Sequence, residues 1–265
     1  VSEPQHKTAS KRITRRFEKS HYKQFQLNDA FSAEVFDRYL ETLDFNRLFL
    51  TQEEVDMLSK WRSEFDDQLR SGETTAAYDI FNASLQKRFE RYQYALSLLD
   101  NEITFDANDD MLVDRSEEPW AKNDAELNEL WRLRVKNDAL NLKLAGKDWP
   151  DIQDTLKKRY NNALKRLTQT KSEDVFQIYL NAFSREVDPH TSYLSPRNAE
   201  QFQSEMNLSL EGIGAVLQVE DDFTVIRSLV AGGPASSSKK LSPGDRIIGV
   251  AQDDDKVVDV IGWRL

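Results

Sequence analysis

The first two thirds of the chain repeat apolar residues at the spacing of an amphipathic helix. Two such stripes are Phe31, Val35, Tyr39 and Leu43, and Phe81, Leu85, Phe89, Tyr92, Leu96 and Leu99. Side chains three and four residues apart share one face of a helix, so these stripes predict helices that pack through one side. The same pattern predicts helices near 124–145, 151–169 and 173–187.

Capping residues give the expected ends of two further helices. Thr51 and Glu54 have the spacing of a capping box, which predicts a helix from there through Leu69, and Gly72 is placed to end it. Ser195 followed by Pro196 predicts the start of another helix, which runs to about Met206.

The pattern changes after Met206, where short apolar runs alternate with turn residues. The runs 213–219, 224–230 and 246–251 predict strands, with Asp221-Asp222 and Asp253–Asp255 at hairpin tips. Seven of the nine glycines also lie in the last 54 positions, which supports a change of architecture at this point. We therefore predict a mainly α domain over 1–203 and a small β-containing module over 204–265.

Composition excludes several classes of protein. With 39% hydrophobic residues the chain can bury a core, and no apolar run is long enough to span a membrane. A net charge of -10 means that the field of the whole chain repels both nucleic acid and anionic lipid. The absence of cysteine excludes disulfides, thiolate catalysis and cysteine-bound zinc.

Three local patterns suggest chemistry, and we interpret all three as structural. Ser236 and Lys239 have the spacing of a serine–lysine acyl-enzyme, but the companion motifs are missing, so an ordinary helix turn is preferred. His190 lies two residues from Asp188, with no serine or cysteine nucleophile placed by the sequence.

An acidic segment between Asn101 and Asn123 raises the question of a calcium loop. Counted from Asp106, the sixth position is Met111, where a calcium loop needs glycine. We interpret the segment as a solvated connector held by Trp120. The sequence thus predicts no metal site, no cofactor and no catalytic residue.

The most informative run is Gly212, Ile213, Gly214, Ala215, Val216 and Leu217. Glycine at the first and third positions lets successive N–H groups point into one concavity, which suits the terminal carboxylate of a peptide. The following strand can pair with an extended peptide. A bulge or tight turn is the alternative, but the turn signals at 231–235 and 241–248 favour the peptide site and together resemble a PDZ domain.

Longer runs resemble one family specifically, the carboxyl-terminal processing proteases, and within it the bacterial tail-specific proteases. The resemblance is carried by 88–96, 188–198, 209–217 and 258–263. It implies a helical N-terminal domain over 1–203, the first part of a PDZ domain over 204–265, and a protease domain that lies beyond Leu265. The second PDZ helix, which forms the far wall of the peptide groove in this family, is also expected beyond Leu265, so the groove is expected to be incomplete within 204–265.

The resemblance also implies a function. Such proteins are periplasmic serine endopeptidases that recognise apolar, free C-termini of substrate proteins and cleave with a serine nucleophile and a lysine base. Here 212–215 match the carboxylate-binding loop, and Val216 and Leu217 match the peptide-pairing strand. The expected location is the periplasm, either free or at the inner membrane surface, and whether an adaptor protein is a further partner stays open.

A different class of protein fits some of the same features. A helical module with a PDZ-like end could act as a scaffold or adaptor without proteolytic activity. The complete open reading frame would distinguish the two, because the protease hypothesis requires a continuation with a serine and a lysine.

Overall fold

The computed structural model describes residues 1–20, 25–206, 212–251 and 256–265, with the side chains of Ser20 and 204–206 excluded. The chain divides into two compact units, Val1–Ser195 and Pro196–Leu265. The first unit is helical and the second contains the strands, which confirms the predicted fold class.

Eight α-helices among the described residues build the first unit. They are α1 (Pro4–Ser20), α2 (Asp29–Leu43), α3 (Gln52–Leu58), α4 (Phe65–Ser71), α5 (Thr75–Ser97), α6 (Asp124–Leu144), α7 (Trp149–Thr168) and α8 (Ser172–Val187). The three helices predicted over 124–145, 151–169 and 173–187 are confirmed as α6, α7 and α8. Helix α1 was not predicted.

The helical unit contains two hydrophobic clusters that share α5. Ile80 and Phe81 of α5 pack in a first cluster with α2, α4 and α8. Ala95 of the same helix packs in a second cluster with α6 and α7, around the fully buried Trp131. A 23-residue helix is long enough to serve both, so it joins the two clusters.

The loop after α2 also connects the clusters. The buried carboxylate of Asp44 accepts hydrogen bonds from the N–H groups of Leu48, Phe49 and Leu50 at 2.8, 2.9 and 2.9 Å. This holds Leu50 in the first cluster and Phe49 against the second. Trp131 donates its indole N–H to the Leu48 carbonyl at 2.6 Å.

One predicted helix is divided. The Thr51–Glu54 capping box is confirmed, and Gly72 ends α4 with φ +76° as expected. The segment between is nevertheless broken after Leu58 by a 3-10 turn at Ser59–Trp61. The prediction of one continuous helix was wrong, because a buried side chain of α2 stabilises the break. The hydroxyl of Ser32 donates to the Arg62 carbonyl and accepts from the Phe65 N–H, both at 2.8 Å.

The second unit contains α9 (Pro196–Met206), β1 (Ala215–Glu220), β2 (Phe223–Leu229), α10 (Pro234–Ser238), β3 (Arg246–Ile247), β4 (Gly249–Ala251) and β5 (Val257–Asp259). Antiparallel strands form a three-stranded sheet in the order β1-β2-β3 and a two-stranded sheet of β4 and β5. The predicted hairpin at Asp221-Asp222 is confirmed, because Glu220 lies opposite Phe223.

The strand predicted over 246–251 is two strands. β3 pairs with β2, whereas β4 pairs with β5, and the chain changes partner at Ile248. The Ile248 carbonyl accepts from the Val260 N–H at 3.1 Å, which directs the later residues toward β5. The tip predicted at Asp253–Asp255 lies outside the described residues.

Candidate peptide-binding site

The turn that precedes β1 is anchored through its carbonyl groups. The Gly214 carbonyl accepts from the Val230 N–H, and the Ile213 carbonyl accepts from the Ala235 N–H, both at 2.8 Å. The Val230 carbonyl in turn accepts from the Gly233 N–H at 3.0 Å. Two backbone bonds therefore fasten the turn to the segment that leads into α10, and the third closes that segment on itself.

These bonds use the carbonyl groups of the turn and leave its N–H groups available. Within the described residues, the N–H groups of Ile213 and Gly214 donate to no acceptor. Gly214 has φ +72°, the left-handed conformation that turns successive N–H groups toward one point. The sequence from Gly212 to Leu217 has no charged side chain, so any anion bound here would be held by the backbone alone.

Glycine at position 214 is also required by close packing. A Cβ added to Gly214 would lie 3.1 Å from the Gly233 Cα and 3.4 Å from the Pro234 Cδ. A Cβ added to Gly233 would lie 3.1 Å from the Val230 carbonyl oxygen. The turn at 212–215 and the turn at 230–235 thus touch backbone to backbone.

Strand β1 has one partner among the described strands, so its other edge is unpaired there. The direction of its backbone groups follows from Ile226, which lies opposite Leu217. The Ile226 N–H donates to the Asp245 carbonyl at 2.9 Å, and its carbonyl accepts from the Gly244 N–H at 2.8 Å. Because Ile226 turns both groups toward β3, it does not bond Leu217.

The N–H and carbonyl of Leu217 therefore face the open edge. Pairs in an antiparallel ladder alternate between hydrogen-bonded and non-bonded, so Val219 faces the same way and Gln218 faces β2. Leu217 is half-buried, whereas the side chains of Ile213, Val216 and Val219 are about half exposed. The edge can accept an extended chain that runs antiparallel to β1, with its end at the 213–215 turn.

Sequence reasoning placed 212–217 at one site and missed what holds them. Val230, Gly233 and Ala235 supply the anchoring bonds and the close contact. The signal was present, because the turn at 231–235 and the helix start at Pro234 were predicted and are confirmed. Which carbonyls those N–H groups bond could not be inferred from either segment alone.

The other candidate residues lie apart from this turn. Ser236 is in α10, whose last residue is followed by Lys239 with φ 56°, and the described residues show no hydrogen bond between the two side chains. His190 belongs to the helical unit, where its exposed ring lies 3.2 Å from Asp188 just after α8.

The acidic connector also has local roles. Asp109 pairs with Lys136 at 2.6 Å and Arg132 at 3.2 Å, and these bonds lower the pKa of Asp109 to about 2. Asp114 accepts from the N–H and hydroxyl of Ser116. In the described ranges, no three His, Asp or Glu side chains are grouped as metal ligands would be. No helix within those ranges is both long enough and apolar enough to cross a bilayer.

Two protein-family models match this chain, and together they cover most of it. The family model for the tail specific protease N-terminal domain matches residues 13–197, and the PDZ domain model matches residues 201–264. A tail-specific protease from Haemophilus influenzae is 52% identical over 258 residues, which cover 97% of this chain and 37% of that protein. The chain therefore spans well under half the length of this relative.

A solved structure is similar to part of this chain. It is a crystal structure of the PDZ domain of a carboxy-terminal protease from Vibrio cholerae in complex with a peptide. It is 73% identical and covers 21% of this chain and 56% of that chain, with a TM-score of 0.20.

Proposed function

Because the chain belongs to the tail-specific protease family, we propose that it is the substrate-recognition part of a periplasmic serine endopeptidase. Residues 1–203 form its helical domain, and 204–265 form the first part of its PDZ domain. The catalytic serine and lysine lie outside these 265 residues. The protease acts in the periplasm, where it cleaves proteins with apolar C-termini.

The substrate's C-terminus binds at 212–217. Its carboxylate accepts from the N–H groups of Ile213, Gly214 and Ala215, and its last residues pair with β1 at Leu217. The observation that carries this proposal is the direction of the Leu217 backbone groups, which face the open edge because Ile226 bonds to Asp245 and Gly244 instead.

A peptide titration tests the proposal. Two peptides with the same apolar sequence, one ending in a free carboxylate and the other in an amide, are titrated by calorimetry against the chain extended through the remainder of its PDZ domain. The amide should bind about 1–3 kcal/mol more weakly, because charge-assisted bonds are lost and donors are left without partners. Equal affinities would refute a carboxylate site at this turn.

Substrate choice is tested with a second pair of peptides. The backbone of the turn recognises the carboxylate whatever the sequence, so selectivity must come from apolar contacts beside Val216 and Leu217. A peptide with a free carboxylate and a charged last residue should bind more weakly than one ending in an apolar residue. If both bind equally, the site recognises C-termini without selecting apolar ones.

A further inference from the structure

Helix α1 carries a charge opposite to that of the rest of the chain. Six basic residues and one acidic residue lie between Pro4 and Ser20, whereas the whole chain has a net charge of -10. Such a concentration of one sign on a single helix creates a local field that differs from that of the molecule as a whole.

Four of these cations lie on one face of α1. Arg12, Arg15, Arg16 and Lys19 follow the spacing i, i+3, i+4 and i+7, which places them in a row about 10 Å long. We call this row the basic stripe. All four residues are exposed, and no described residue forms an ion pair with any of them.

The opposite face of α1 attaches it to the helical unit. His6, Ser10 and Thr14 are buried, and the His6 ring stacks on Phe176 with centroids 4.3 Å apart. Phe17 packs edge-on against Phe183 at 5.4 Å. The stripe is therefore held outward on a helix whose other side is fixed.

Acidic groups next to α1 are already engaged. Glu73 pairs with Lys7, and Glu18 pairs with Arg70 at 3.6 Å. Arg70 also lies 3.7 Å from Asp66 and 3.9 Å from Asp67. These pairs hold the neighbouring carboxylates away from the stripe, so its four charges are available to a partner.

The composition of the exposed face indicates which kind of partner fits. Besides charged residues it offers Pro4, Gln5 and Thr8, with no exposed aromatic or aliphatic side chain. Protein interfaces centre on apolar and aromatic anchors, and this face has none. Anionic lipid headgroups need no such anchor, because juxtamembrane cations are attracted to the surface charge alone.

We propose that the basic stripe of α1 binds the surface of an anionic lipid bilayer. The helix lies flat on the headgroups without inserting, since its apolar side chains pack in the helical unit. The net negative charge of the remaining chain is repelled by the same surface, so attachment through α1 also fixes which face of the helical unit lies against the lipid. This interaction does not depend on peptide binding at 212–217.

Vesicle flotation with the full chain tests the proposal. Vesicles of phosphatidylcholine alone are compared with vesicles that contain phosphatidylglycerol as well, at low and at high salt. The chain should float with the anionic vesicles at low salt, and binding should fall by more than about tenfold when salt shortens the screening length to a few ångström. It should not float with phosphatidylcholine.

Two matched variants identify the surface. One replaces the stripe (Arg12→Gln, Arg15→Gln, Arg16→Gln, Lys19→Gln) and should lose more than about tenfold in binding to anionic vesicles. The other removes the same charge from α7 (Lys157→Gln, Lys158→Gln, Arg159→Gln, Arg166→Gln) and should keep it. In α7, Lys158 and Arg159 are paired with Asp154 and Asp138 at 3.0 and 3.4 Å.

The outcomes separate lipid from other partners. Equal flotation of the two variants, or no flotation of the wild-type chain, overturns the proposal. Binding of polyglutamate through the stripe by a chain that ignores vesicles would show that an acidic polypeptide is the partner instead. Circular dichroism and peptide affinity should match wild type in the stripe variant, which makes a loss of flotation distinct from misfolding or a damaged peptide site.

Discussion

Adding a methyl group to a glycine can cost stability in two ways, through an unfavourable backbone conformation or through overpacking. Four glycines near the candidate site differ in which of these two costs applies. Gly214 and Gly232 have positive φ, at 72° and 78°. Gly214 and Gly233 are closely packed, with an added Cβ 3.1 Å from the nearest atom in each case. Gly212 has neither property, since its Cβ would meet nothing within 4 Å. Single alanine substitutions therefore test conformation and packing independently.

The expected magnitudes follow from this arrangement. Alanine with positive φ costs about 1–2 kcal/mol, and overpacking costs about 1–3 kcal/mol. Gly232→Ala should show the first cost alone and Gly233→Ala the second alone. Gly214→Ala should show both, about 2–5 kcal/mol together. Gly212→Ala should be neutral or slightly stabilising, because alanine restricts the unfolded chain.

The assay combines amide exchange in the β1-β2 hairpin with peptide affinity. Exchange reports the free energy of local opening, and affinity reports whether the turn keeps its shape. Gly233→Ala and Gly214→Ala should weaken peptide binding, because the turns at 212–215 and 230–235 must move apart. Gly232→Ala should reduce protection but keep affinity. If Gly232→Ala harms binding as much as Gly214→Ala does, the contact between the turns does not shape the site.

Three further predictions concern the helical unit. Burial lowers the pKa of His6, so the unfolded chain binds the proton more tightly than the folded chain does. The free energy of unfolding should be highest above about pH 6.5 and should fall as the pH drops from there toward the pKa of His6 in the folded chain. Titration of the His6 ring by NMR should give a midpoint below 6.5, and a midpoint above it would contradict the buried, neutral ring. The Asp109 carboxyl should titrate near 2, and Arg132→Gln should raise that value in carbon-detected NMR; an unchanged midpoint would show that Arg132 does not hold the carboxylate. Ser32→Ala should lower the free energy of unfolding of the helical unit by about 1–3 kcal/mol in urea, whereas Ser71→Ala, at an exposed hydroxyl, should change that free energy little. Equal effects of the two substitutions would mean that Ser32 does not stabilise the break after Leu58.

Elements whose signals are local could be predicted from the sequence. The capping box at Thr51 and the glycine stop at Gly72 depend on residues within one turn, and both are confirmed. Helices α6, α7 and α8 follow from their apolar stripes. The break after Leu58 could not be predicted, because the hydroxyl that bonds it belongs to Ser32, at a distance in sequence.

Helix α1 was missed for a different reason. Its fully buried positions include the polar residues His6, Ser10 and Thr14. The apolar residues that pack beside them, Ala9, Ile13 and Phe17, are only partly buried and form a short row. The spacing of Arg12, Arg15, Arg16 and Lys19 was a helical signal that apolar periodicity does not detect. At the candidate site, the glycines predicted the turn. The side to which the backbone groups of β1 point could not be predicted, because it depends on which residues Ile226 bonds.

The central claim, that a substrate's C-terminus pairs with the open edge of β1, is tested most directly by amide exchange with and without a peptide that ends in a free carboxylate. In the free chain, the N–H groups of Leu217 and Val219 face the edge and should exchange fast, whereas Gln218 bonds to β2 and should exchange slowly. A bound peptide should slow Leu217 and Val219 and leave Gln218 unchanged. Slowing of all three to the same degree, or of residues away from 213–219 alone, would contradict the account.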